Sequence, residues 1–289
     1  MDDQLACAAD SAAAIEARMT IELREIGIPP RPSILARIEE EIGRDSPDFI
    51  HLANLLGRDV ALAAGVIKIA NSPYFAFGKK VPTIQEALLV LGLRVVAKAV
   101  AGLALHQAFK HLPNMERFWD SSARTADVSA RLARVLGRVN GIRPEDAYTF
   151  ALFRDCGIPV LMTPFPEYRG VLARANAEPA RAFTAVEDEA LSVNHAMLGA
   201  QLAADWLLPP EIVAAIRHHH DAAALAPDSG VVSPAARTLA AFAEVAEHLI
   251  DLDAVQQHSC EWEKLGAASL ASLGIDAGQL PELAAECLV

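Results

Sequence analysis

Apolar residues recur at intervals of three and four along most of this chain. Ile15, Met19, Leu23 and Ile26 share one face of a helix that would end at Gly27. Ile28-Pro29-Pro30-Arg31-Pro32 then forces an extended turn, because each proline disfavours helix in the residue before it. A helix over 34–42 follows, with Ser33 as its cap. The next starts near Asp45-Ser46-Pro47 and carries Phe49, Leu52, Ala53 and Leu56 on one face. Asp59 caps a third, over 60–70, which Asn71-Ser72-Pro73 stops. Thr83 caps a long helix with Ile84, Ala87, Leu88, Leu91 and Val95 at helical spacing, continuing or re-forming through His106.

His111-Leu112-Pro113-Asn114 is the one clear internal break. Beyond it the pattern is again helical, over 118–136, 145–153, 168–175, 182–193, 196–206, 210–219 and 235–250, with a short helical tail in 255–289. Strand-like alternation and fixed-period repeats are missing. The expected class is all-α, a two-lobed helical bundle. It divides into a flexible start (1–14), an amino-terminal lobe (15–112), a carboxy-terminal lobe (113–252) and a helical appendage (253–289). Composition agrees: 53% of residues are hydrophobic but only 6% aromatic, and Ala and Leu favour helix over strand.

The formal charge of −12 disfavours binding to nucleic-acid phosphates or anionic lipid. Cys7, Cys156, Cys260 and Cys287 are scattered without a Cys-x-x-Cys pair, which fits reduced thiols in a cytoplasm and argues against structural zinc. The first residues lack the positive segment and apolar run of a signal peptide, and no apolar run approaches a membrane span. The expected setting is cytoplasmic, with neither membrane nor nucleic acid as partner.

Three segments carry a family signature. One runs from Arg58-Asp59-Val60-Ala61-Leu62 to Asn71-Ser72-Pro73-Tyr74-Phe75, and another from Thr83-Ile84-Gln85-Glu86-Ala87 to Leu91-Gly92-Leu93-Arg94. The last runs from Phe118-Trp119 through Phe153-Arg154-Asp155-Cys156-Gly157 to His195 and His218-His219-His220. Together they resemble the HDOD family, a bacterial helical output domain related to the HD and HD-GYP metal-dependent phosphohydrolases. The resemblance covers roughly residues 20–250 and implies an HD-like carboxy-terminal lobe and a regulatory role in signal transduction.

The resemblance also implies a ligand set that can be matched residue by residue. The first histidine of such enzymes would fall near Ser121, a weak ligand. The histidine of the His-Asp pair is replaced by Arg154, while the aspartate is kept as Asp155. Downstream ligands match at His195 and within His218-His219-His220, and a late acidic ligand falls near Glu244. A guanidinium stays protonated and offers a metal no lone pair. The expectation is therefore a vestigial pocket of Arg154, Asp155, His195, His218, His219 and Glu244, with no metal cofactor and no catalytic residue. If a metal did bind, Asp155, His195, His218 and His219 would hold it, and Arg154→His would create a partial site.

Local alternatives exist for each residue. Arg154 could pair with Asp155, Glu244 or another acid, or could receive an anion together with His218 or His219. His195 could cap or pack at a helix start, and the three consecutive histidines could be a solvated helix end. Asn71, Tyr74, Phe75 and Phe77 form a loop that either plugs the interface between the lobes or meets a partner. The leading function is a non-catalytic signalling module in a response-regulator pathway, working through a protein partner or a small ligand. The rivals are a phosphohydrolase acting on a nucleotide or cyclic dinucleotide, and a nucleotide-binding sensor without catalysis.

Overall fold

The computed structural model of the chain describes residues 27–72, 80–254 and 259–288. Every regular element among them is helical. The helix expected around Ile15 to Ile26 and the loop residues Tyr74, Phe75 and Phe77 lie outside the described residues.

The amino-terminal half forms α1 (Ser33–Ile42), α2 (Phe49–Leu56), α3 (Val60–Ala70), α4 (Ile84–Leu91) and α5 (Leu93–Ala108). Asp48 caps α2, Asp59 caps α3 and Thr83 caps α4, each side-chain oxygen accepting from backbone N–H groups of the first turn. Ser33 is instead the first residue of α1, Pro32 takes the cap position, and no side chain caps that end. The long helix expected after Thr83 is two helices. Gly92 adopts φ 74°, a conformation closed to most other residues, and α4 and α5 meet there at 116°. Among the described residues no single helix is long and apolar enough to cross a membrane; α4 and α5 reach that length only together, across this bend.

The Asn71 side chain makes its hydrogen bonds within the fold. Its Nδ2 donates to the carbonyls of Ile67 and Val81, and its Oδ1 accepts from Val81 N–H at 2.8 Å. The amide thus ties the end of α3 to the chain just before α4.

The remaining helices are α6 (Glu116–Asn140), α7 (Pro144–Phe153), α8 (Gly157–Met162), α9 (Tyr168–Asn176), α10 (Phe183–Leu191), α11 (His195–Asp205), α12 (Pro210–His218), α13 (Ala222–Leu225), α14 (Pro234–Asp253), α15 (Cys260–Leu273) and α16 (Leu280–Cys287). The middle of α14 is buried on nearly every side, from Ala236 to Leu249, and its many alanines let α6, α7, α12 and α15 approach it closely. Most buried apolar residues from Leu35 to Cys287 form one contiguous core, with Ala175, Phe183 and Val186 in a small second cluster. The two halves are joined by α5 against α7, by the Lys98–Asp146 ion pair and by Trp206 Nε1, which donates to Pro29 O at 3.1 Å.

Candidate metal centre

A close approach between two backbones assembles the site. A Cβ at Gly157 would lie 2.0 Å from the carbonyl oxygen of His195 and 2.8 Å from Gly199 N, so only glycine lets α8 rest on the start of α11. That contact sets Asp155, in the turn between α7 and α8, beside His195, the first residue of α11. Asn194 caps α11 by accepting from Met197 N–H at 2.8 Å, so His195 is a core residue and the capping is done by its neighbour. Because α12 ends at His218, His219 and His220 occupy the turn that follows. From that turn both rings reach the same point.

The geometry there is specific. His195 Nε2 lies 3.3 Å from His219 Nε2 and 3.2 Å from His220 Nε2. Asp155 Oδ1 lies 3.5 Å from His195 Nε2 and 3.4 Å from His219 Nε2. These four donor atoms all fall within 4.8 Å of one another. Each ring is held from behind by an acceptor at 2.7 Å: Glu187 Oε2 for His195, the Ile216 carbonyl for His219 and Glu261 Oε2 for His220. An acceptor at Nδ1 fixes the proton there and leaves Nε2 as a lone pair. With the rings neutral, three imidazole lone pairs and a carboxylate oxygen converge, the donor chemistry of a transition-metal site with its outer hydrogen bonds in place, and a cation there would take the place of the proton His195 otherwise holds.

The electrostatics favour one positive charge at this point. Burial disfavours charge on His195, but Glu187 and Asp155 outweigh it and push the group up to about 9. Burial pushes His219 down, and burial followed by the charge of His219 pushes His220 down to about 3. For Asp155, burial would raise the carboxyl. The Arg154 guanidinium, and after it the neighbouring His195 and His219, hold it well below the usual carboxylate range instead.

Arg154 sits beside this cluster and not within it. Its Nε and Nη2 donate to Asp155 Oδ2 at 3.1 and 3.0 Å, and Nη2 also pairs with Glu247. Asp155 therefore divides its oxygens, Oδ1 toward the histidines and Oδ2 toward the guanidinium. Burial alone would lower the Arg154 pKa, but Asp155, Glu247 and Glu244 hold it above its ordinary value. Four donors converge with Arg154 in place, so Arg154→His is not needed to assemble them.

Residues 28–222 match the HDOD domain family. The chain belongs to the HDOD family. An uncharacterized protein from Treponema pallidum (strain Nichols) is 28% identical over 195 residues, a stretch covering 67% of this chain and 38% of the relative's own length. Two solved structures share the fold. One, provisionally named a signal transduction protein, is from Marinobacter aquaeolei VT8: TM-score 0.65, 24% identity, 91% of this chain and 57% of that one. The other, provisionally named a phosphohydrolase, is from Shewanella amazonensis SB2B: TM-score 0.63, 23% identity, 91% of this chain and 92% of that one.

Within this HDOD chain the structure departs from the sequence reading of the pocket at one histidine. His218 is half-buried and faces Asp221, its Nδ1 3.5 Å from Oδ2, while His220 takes the place expected for it. Ser121 is exposed on α6. Glu244 is buried near Arg154 but outside the group of four donors. Three supporting residues escaped sequence reasoning altogether. Tyr168 donates its hydroxyl to Glu187, Glu187 orients His195, and Phe183 stacks on the His220 ring at 4.7 Å and 11°. None of them carries a motif, and only the fold brings them to the site.

Glu244 yields a pH prediction. Burial, and then the charge of Glu247, push it up to about 8 from an ordinary 4.5, against the pull of Arg154. The folded state thus keeps a proton that the unfolded chain gives up, so this group's stabilisation is fully present below about 4.5 and is lost as pH rises through about 8. Glu244→Gln keeps the shape and removes the titration. It is expected to flatten the fall in melting temperature between about pH 5 and about pH 9. Identical pH slopes for the two proteins would contradict this.

Proposed function

We propose that this HDOD protein is a non-catalytic signal-transduction module whose state is set by one divalent cation held by Asp155, His195, His219 and His220. The observation that carries the reading is the convergence of three Nε2 atoms, each with its Nδ1 anchored to an acceptor. The sequence alone favours no metal, because Arg154 stands among the ligand positions; its contact with Asp155 Oδ2 leaves Oδ1 facing the histidines, which supports the metal reading. A protein partner remains the proposed recipient of the signal.

The choice between signalling and hydrolysis turns on Arg154. A metal bound here would supply Lewis acidity and could lower the pKa of a bound water. Around it, Arg154 presents a fixed cation on the second oxygen of Asp155, where it neutralises the carboxylate and offers no exchangeable position. The Marinobacter and Shewanella names point in these two directions, and at such identities they establish only the fold.

Equilibrium dialysis against manganese, iron and zinc is expected to give one bound ion per chain, with affinity lost in His195→Ala, and no turnover of cyclic dinucleotides or nucleotides by the loaded protein. Failure of the wild type to bind any of the three metals would end the metal reading. Turnover that disappears with His195→Ala would make the protein a hydrolase.

A further inference from the structure

We infer that Glu261 is a positioning residue for the metal ligand His220, so that metal occupancy and docking of the carboxy-terminal helix α15 are coupled. The inference rests on the metal reading of the site and adds a control element to it.

The HDOD match ends at residue 222, whereas α15 begins at Cys260. His195 and His219 are held by Glu187 and the Ile216 carbonyl, both within the matched region. His220 alone depends on the appended segment, through Glu261 Oε2 at 2.7 Å from its Nδ1. This carboxylate lies in the first turn of α15, which Ser259 caps by accepting from Trp262 N–H.

Lys264, one turn along, ties the same corner together. It pairs with Glu261 and donates to the carbonyls of Glu178 and Arg181 at 3.2 and 3.1 Å. Those carbonyls belong to the segment leading into α10, whose first residue, Phe183, stacks on His220. One end of α15 thereby fixes the His220 ring both at its edge and, through Phe183, at its face. Trp262 stacks on His248 of α14 at 3.6 Å, and Ser272 Oγ donates to Leu225 O at 2.8 Å, so the rest of α15 is docked on neighbouring helices.

The consequence follows from linkage. If docked α15 raises the affinity of the cluster for a cation, the cation must favour docked α15 by the same factor. A partner that drew α15 away would release the cation, and loss of the cation would loosen α15.

Two measurements on the full chain test this, with zinc as probe. Zinc affinity of the wild type, Glu261→Ala and Glu261→Gln is measured by competition with a chelator. Removing a hydrogen-bond partner behind a ligating histidine is expected to weaken binding roughly 10- to 100-fold in Glu261→Ala. Glu261→Gln keeps a carbonyl oxygen that can accept from Nδ1–H, so it should recover most of the loss. Amide exchange in the wild type should slow across 260–273 when zinc is added, a readout that needs no variant to fold. Zinc binding by the wild type with unchanged affinity in Glu261→Ala, or with no slowing in α15, overturns the coupling and leaves the metal site standing. No zinc, manganese or iron binding by the wild type overturns the site itself, and the coupling with it.

Discussion

Gly157→Ala should cost the HDOD protein a large part of its stability, about 3 kcal/mol or more. Overpacking a core usually costs about 1–3 kcal/mol because side chains can shift to relieve it. Here the atoms met at 2.0 and 2.8 Å are the backbone of His195 and Gly199, which cannot rotate away. Relief requires α8 and α11 to separate, which also parts Asp155 from His195. A domain of this kind has about 5–15 kcal/mol in total, so the loss should show as a large fall in the denaturation midpoint and in metal affinity together. Gly199→Ala is the comparison: its nearest contacts, at 3.2–3.3 Å, include the movable side chains of Cys156 and Ile216, and a loss of about 1 kcal/mol is expected. Equal midpoints for Gly157→Ala and the wild type would refute the close-approach account.

The second large effect is expected from Arg154→Met. Methionine fills a similar volume and leaves Asp155 and Glu247 without their cation. Removing one partner of a buried ion pair costs about 3–5 kcal/mol, because a charge stays behind unpaired. Asp155 has a depressed pKa, so its ionised form stabilises the fold above the ordinary carboxylate range, and this contribution is lost as pH falls through the folded value. Arg154 is the first charge that depresses it. The gap between wild type and Arg154→Met should therefore be widest near neutrality and narrow in acid. Denaturant titrations across pH check both size and trend, and a gap that is constant or widens in acid would contradict the assignment.

What could be read in the chain was what the chain decides locally. The caps at Asp59 and Thr83 depend on one side chain and the next few amides, and both were legible. The bend at Gly92 was not, because glycine is tolerated within a helix and the apolar spacing continues across it. Asp155, His195 and His219 came from motif positions and do meet. The sequence does not separate His218 from His220, because which rings can converge depends on where α12 ends, and a boundary shift of one residue changes it. The pairing of Arg154 with Asp155 is among the sequence readings, but its second partner, Glu247, lies 93 residues later. Glu187 and Glu261 were invisible for the same reason, since an acceptor behind a ring is defined by tertiary placement.

The guanidinium on Asp155 Oδ2 also shapes how such a protein would read its surroundings. A tethered cation cannot be chelated, starved away or exchanged, so that half of the carboxylate stays satisfied for as long as Asp155 is ionised. Only the tri-histidine side is left to equilibrate. A pocket with one permanent and one exchangeable positive charge gives a graded saturation curve, moving from mostly empty to mostly full over about two decades of free ion. It would behave as a dial for metal availability, where a pair of cooperating ions would have behaved as a threshold.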